Sequence, residues 1–101
     1  MRDIAREELI LELQRLRPEL QKEGVTHMAL FGSRARQDNR LDSDIDLVIE
    51  IEDDRKFSLL DLIGVGHIIK DRLGIEANLF MRRGLDDSFK RTVGRDQVAV
   101  F

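Results

Sequence analysis

Asp44 and Asp46 stand two apart in the run Asp44-Ile45-Asp46-Leu47. On an extended strand, side chains two apart leave the same face, with Cα atoms about 6.6 Å apart. Two carboxylates that close repel unless a cation or a proton lies between them. Paired carboxylate oxygens suit Mg2+, which keeps several waters and accepts phosphate as a further ligand. An Asp-x-Asp by itself also describes an ordinary exposed strand face. Here Ile45, Leu47, Ile49 and Ile51 fill the alternate positions, so the segment reads as a half-buried strand. Ten residues before Asp44 end on a second feature, Gly32-Ser33. Glycine lets backbone approach a ligand closely. The Ser33 hydroxyl and the N–H groups of the turn after it can hold phosphate oxygens. Alone, Gly-Ser is no more than a turn.

These residues need elements to place them. Leu9, Leu13, Leu16 and Leu20 fall on one helical stripe with charges between, so the chain opens with an amphipathic helix. Pro18 interrupts it. An interior proline costs about 3 kcal/mol, so a break is expected near Arg17, with Gly24 closing the segment. Residues 25–31 have strand composition and lead into Gly32. Residues 33–37 form one turn or a short helix, and 38–43 a polar loop before the Asp44 strand. Ser58 and Asp61 resemble a capping box opening a long helix to about Leu73, although Gly64 and Gly66 weaken it by about 1 kcal/mol each. Gly74 suits its end. Residues 75–81 read as a third strand and 86–93 as a last helix. The pattern is α/β, with helices covering a small sheet.

Composition narrows the class. The chain has 101 residues, which suits a single domain over 1–101. It has no cysteine, which excludes disulfides and thiolate metal sites and fits a reducing cytoplasm. The start Met1-Arg2-Asp3 is charged, unlike a secretion signal, and no apolar run is long enough for a membrane span. Net charge is −3, which argues against a protein held to nucleic acid by phosphate neutralisation. Five Phe with no Trp or Tyr make a poor platform for stacking bases. Charge is unevenly spread. Residues 42–54 hold seven acids and no base, while residues 82–95 hold five bases against Asp86 and Asp87. That polarity suits a cation with a polyanionic ligand, or simply two solvated surfaces.

Taken together, Gly32-Ser33, the ten-residue spacing and Asp44-Ile45-Asp46-Leu47 resemble the signature of the DNA polymerase beta-like nucleotidyltransferase superfamily. The run ALFGSRARQDNRLDSDIDLVIE is similar to its minimal nucleotidyltransferase branch, as are FSLLDLIGVGHIIKDRLG and the strand after it. The resemblance covers nearly the whole chain. It implies a small mixed sheet flanked by helices. It also implies that Gly32 and Ser33, with Arg34 beside them, hold the triphosphate of an NTP. Asp44 and Asp46 are implied to be catalytic, binding Mg2+ ions that bridge those phosphates. The implied reaction moves a nucleoside monophosphate, AMP from ATP, to a hydroxyl. A chain this short leaves the acceptor to a partner. Relatives of this size pair with a small HEPN-type toxin as its antitoxin and modify a toxin tyrosine. Homo-oligomerisation is left open.

The sequence departs from that branch in two places. Gln37 stands where relatives carry glycine, a change expected to affect only the loop. Asn78, in RLGIEANLF, stands where a third carboxylate is expected to hold a second metal or take the acceptor proton. An amide can ligate weakly through its carbonyl but is no base near neutral pH. Glu76 lies one pleat repeat away on the same expected strand face and is the candidate to replace it. Without that rescue, the chain reads as a nucleotide-binding antitoxin or regulatory subunit with impaired transfer. Arg34 and Arg36 either bind phosphate or keep the surface soluble. Arg82 and Arg83 meet a nucleotide or partner, or lie on the surface. His27 and His67 have no partner at a useful spacing and read as structural.

Overall fold

The computed structural model describes residues 4–101. The charged start Met1-Arg2-Asp3, read above against a secretion signal, lies outside the described residues. No helix among the described residues is long and apolar enough to cross a membrane.

Helix α1 (Arg6–Arg15) and helix α2 (Arg17–Lys22) meet at Leu16. Pro18 sits in the first turn of α2, where its missing N–H has no helical partner to lose. The expected break therefore falls where the proline requires it. Leu9, Leu13, Leu16 and Leu20 are all buried, as the helical stripe demands. Strand β1 (Val25–Phe31) follows, then the single-turn helix α3 (Gly32–Arg36) and strand β2 (Ile45–Ile51). Helix α4 (Leu59–Leu73) carries the chain to strand β3 (Ala77–Met81). A 3-10 turn (Arg82–Gly84), helix α5 (Asp87–Asp96) and the two-residue strand β4 (Val98–Ala99) complete the order.

The sheet runs β3-β2-β1-β4. β1 is antiparallel to β2 and to β4, while β2 and β3 are parallel, joined through α4. The sheet is therefore mixed, as the resemblance implied. On one face Ile45, Leu47 and Ile49 join Leu9, Leu13, Leu20, Val65, Ile69 and Leu73 in the main core. On the other, Val48 packs with Ala29, Phe31 and Val93, and Phe80, Leu85 and Phe89 close over them. Phe31, Phe80 and Phe89 meet edge to face at centroid distances of 5.3–5.7 Å. β2 is thus covered on both sides beyond Asp46, which is why apolar residues fill both of its faces from Leu47 to Ile49.

Some bounds differ from the sequence reading, and one strand was missing from it. β3 starts at Ala77, not Ile75, because Gly74 ends α4 in the left-handed region and the chain bends before pairing begins. α5 runs to Asp96 and starts after Asp86, whose carboxylate accepts the Phe89 N–H at 2.7 Å. β4 was not anticipated. It follows α5 directly and pairs Val98 and Ala99 with Leu30 and Ala29, burying Val100 beneath it.

The capping box at the start of α4 is formed. The Ser58 hydroxyl accepts the Asp61 N–H at 3.2 Å, and the Asp61 carboxylate accepts the Ser58 N–H at 2.8 Å. The Ser58 backbone N–H, and then its hydroxyl, hold the Asp61 carboxyl below its usual value of 3.8. Stabilisation from that carboxylate is fully present above pH 3.8 and fades as pH falls through the lowered folded value. Replacing Ser58 by Ala should cost about 1 kcal/mol in urea unfolding near neutral pH. The difference from wild type should narrow in acid.

Candidate active site

Asp46 is the second residue of β2. In register it faces Phe31 on β1 and Asn78 on β3. Asp44 stands one residue before the strand, exposed, while Asp46 is half-buried. The two carboxylates converge on one amide: Asn78 Nδ2 donates to Asp46 Oδ1 at 3.0 Å and to Asp44 Oδ2 at 3.4 Å. An amide nitrogen carries two protons, so it can serve both acids at once. The shared face expected for the pair is therefore present, and Asn78 lies on it.

Gly32 positions Asp46. Its φ is +75°, a left-handed backbone that glycine adopts without strain. A Cβ at this position would overlap Asp46 Oδ2 and lie 3.2 Å from Cγ. Glycine is required here twice, once for the turn and once for the space the carboxylate occupies. Ser33 follows at the start of α3, and its hydroxyl makes no hydrogen bond among the described residues. Its carbonyl accepts the Asp38 N–H at 3.0 Å, which turns the chain back toward Asp44.

Arg34 differs from both readings made of it. It is not a surface residue, being only 3% exposed. Nor is its guanidinium turned out to a ligand. Nε and Nη2 donate to the Ser43 carbonyl at 3.0 and 2.8 Å, and Nη2 reaches the Leu41 carbonyl at 3.4 Å. Burying a charge is costly unless it is hydrogen-bonded, and here backbone carbonyls supply the bonds. Arg34 therefore fixes the loop that delivers Asp44. Arg36 donates to Asp38 at 3.0 Å and to Asp96 at 2.8 Å, tying α3 to α5. Those two carboxylates, Asp38 first, raise its already high pKa. Neither role carries a sequence signal, since both depend on carbonyls or acids brought in from other elements.

Glu76 is also corrected. The expected face assumed that the strand included residue 76, but β3 begins at Ala77. The Glu76 side chain turns instead to α4, where Lys70 Nζ donates to it at 2.9 Å. That bond raises the pKa of Lys70. Glu76 is thus engaged away from the Asp44–Asp46 pair. His27 is exposed, with Nδ1 3.1 Å from Thr26 Oγ1, and His67 is exposed on α4. Arg82 donates to Gln97 at 2.8 Å and Arg83 is exposed. None of these four joins the pair.

The donor set fits a divalent cation carried by a phosphate ligand. Two carboxylates converge, Asp44 exposed and Asp46 half-buried, with Asp46 against the Gly32 backbone. Among the described residues no three His, Cys, Asp or Glu side chains gather to hold an ion unaided. The remaining positions of an octahedral Mg2+ would fall to water and phosphate oxygens. Beside Asp44 a cavity of about 290 Å3 opens between residues 41–44, Lys70 and Glu76.

This fold and site define a nucleotidyltransferase domain: residues 12–98 match that family, and the chain belongs to it. The likeness narrows to its smallest members. A solved structure described as a "putative minimal nucleotidyltransferase" superposes with a TM-score of 0.80 at 26% identity, covering 97% of this chain and 98% of that one. Protein adenylyltransferase MntA of Thermococcus cleftensis is 32% identical over 77 residues, 76% of either chain. The fold is also that of the structure of a tri-AMPylated Shewanella oneidensis HEPN toxin in complex with MNT antitoxin. There the TM-score is 0.68 at 14% identity, over 92% of this chain and 71% of that one.

Two substitutions test this geometry. Gly32→Ala should lose about 1–2 kcal/mol in denaturant unfolding from the backbone alone, and more from displacing the Asp46 carboxylate. Gln37 caps α3 in the left-handed region at φ +67°. Glycine adopts that conformation without strain, so Gln37→Gly should raise stability by about 0.5–1 kcal/mol in the same measurement.

Proposed function

We propose that this chain is a single nucleotidyltransferase domain that transfers AMP from ATP to a hydroxyl on a partner protein. The convergence of Asp44 and Asp46, with Asp46 against Gly32, carries the reading. The family match supports nucleotidyl transfer, and the name of the Thermococcus relative supports the choice of a protein acceptor. Gly32 and Ser33 hold phosphate oxygens, the Ser33 hydroxyl having no competing hydrogen bond among the described residues. Asp44 and Asp46 would hold the cation that travels with the nucleotide. Mg2+ bound there would neutralise charge on the phosphoryl oxygens as pyrophosphate leaves. Arg34 acts at one remove, holding Ser43 and so the approach of Asp44.

The acceptor oxygen forms its bond to the α-phosphorus as the bond to pyrophosphate breaks. Asn78 cannot take the acceptor's proton, and Glu76 is held by Lys70. The proton therefore passes to solvent. A phenol, with a pKa of about 10, releases it more readily than an aliphatic alcohol. That favours a tyrosine acceptor. By analogy with the HEPN–MNT complexes that share the fold, the partner is a HEPN-type toxin and this chain its antitoxin. A chain without cysteine that uses ATP is suited to a reducing cytoplasm.

A second reading keeps nucleotide binding and drops transfer. It is favoured by the amide of Asn78 standing where a third acid would be. Incubation with α-phosphate-labelled ATP, Mg2+ and the purified HEPN-type partner separates the two. The expected result is label on a partner tyrosine, abolished by Asp44→Ala with Asp46→Ala. No label from wild type, but label from Asn78→Asp, would establish the second reading. Label that survives loss of both aspartates would refute the metal assignment.

A further inference from the structure

We infer that Asn78 makes cation binding at Asp44 and Asp46 conditional on nucleotide: the pair is closed to a bare divalent cation and opens to one that arrives with phosphate. The inference rests on the reading of this pair as the metal site, and concerns how the site is kept when empty of nucleotide.

The amide stands in the space between the two acids. Asn78 Nδ2 donates to one oxygen of each carboxylate, at 3.0 and 3.4 Å. These are charge-assisted bonds, stronger than neutral ones, and they relieve the repulsion that a cation would otherwise relieve. A cation entering the same space must first turn that N–H2 group away. In return the site offers two acids and no third. Glu76 is bonded to Lys70 at 2.9 Å, and no cluster of three ligating side chains exists among the described residues. Two carboxylates compete poorly against six waters for a small hard ion. Phosphate oxygens would change that balance by adding anionic ligands. The Asn78 amide can then rotate and present its carbonyl oxygen. An aspartate at the same position would act in the opposite sense. It would add an anionic ligand, remove the donor and leave three like charges together, all of which favour a bare cation.

Mn2+ serves as the probe, because its free ion gives an electron paramagnetic resonance signal that falls on binding. In a titration without nucleotide, wild type is expected to bind Mn2+ at least tenfold more weakly than Asn78→Asp. With a non-hydrolysable α,β-methylene ATP analogue, wild type is expected to take up Mn2+ in a nucleotide-dependent step that Asp44→Ala with Asp46→Ala removes. Asn78→Ala removes the donor without adding charge. It is expected to bind bare Mn2+ more tightly than wild type and to melt at lower temperature in metal-free buffer, where the two acids lose their shared partner. Wild type binding bare Mn2+ as tightly as Asn78→Asp would overturn the inference while leaving the metal site intact. So would Asn78→Ala binding bare Mn2+ no better than wild type. Failure of wild type to bind Mn2+ even with the analogue would overturn the site assignment itself.

Discussion

The Asp46 carboxylate occupies the space that a side chain at position 32 would need. Much of the site follows from that contact. β1 has to be followed by a residue without a Cβ, and the chain has to leave the strand through a left-handed turn at Gly32. That turn starts α3, whose second residue is Ser33. The antiparallel register sets Asp46 against Phe31, so the turn and the carboxylate arrive at the same end of the sheet. The parallel register with β3 then fixes which residue faces Asp46 from the other side. It is Asn78, and the main core beneath the sheet holds that register through Ile45, Leu47 and Leu79.

Most of the elements were legible because each has a strong local cause. The leucine stripe specified α1 and α2, and Pro18 specified the joint between them. The Ser58–Asp61 box and Gly74 marked both ends of α4. β4 was invisible for the converse reason. Two residues have no period, and their strand state comes from lying beside β1 once α5 has turned the chain. The double covering of β2 was also obscured, because Asp46 and Glu50 mark its second face as polar and only Val48 reveals that α5 lies over it.

In the site, residue types were legible and directions were not. Asp44 and Asp46 converge as their spacing suggested, and Asn78 meets them where the family resemblance put it. Glu76 failed as a same-face neighbour because pleat alternation holds only inside a strand, and the strand starts one residue later. Once outside it, the side chain is free to meet Lys70, six positions back in sequence at the end of α4. Arg34 misled for a related reason. A basic residue next to a glycine-serine turn suggests phosphate, but what decides its role is where the carbonyls of a distant loop lie.

Arg34 also bears on how this chain can vary. A buried guanidinium measures the loop that returns to Asp44, because its donors meet the carbonyls of residues 41 and 43 only if the intervening chain has the right length. An insertion between α3 and β2 that shifts Ser43 would strand a positive charge in the interior. The ten-residue gap between Ser33 and Asp44 is therefore a dimension set by one side chain. Most surface loops drift in length because nothing inside the protein gauges them, whereas this one carries its own gauge.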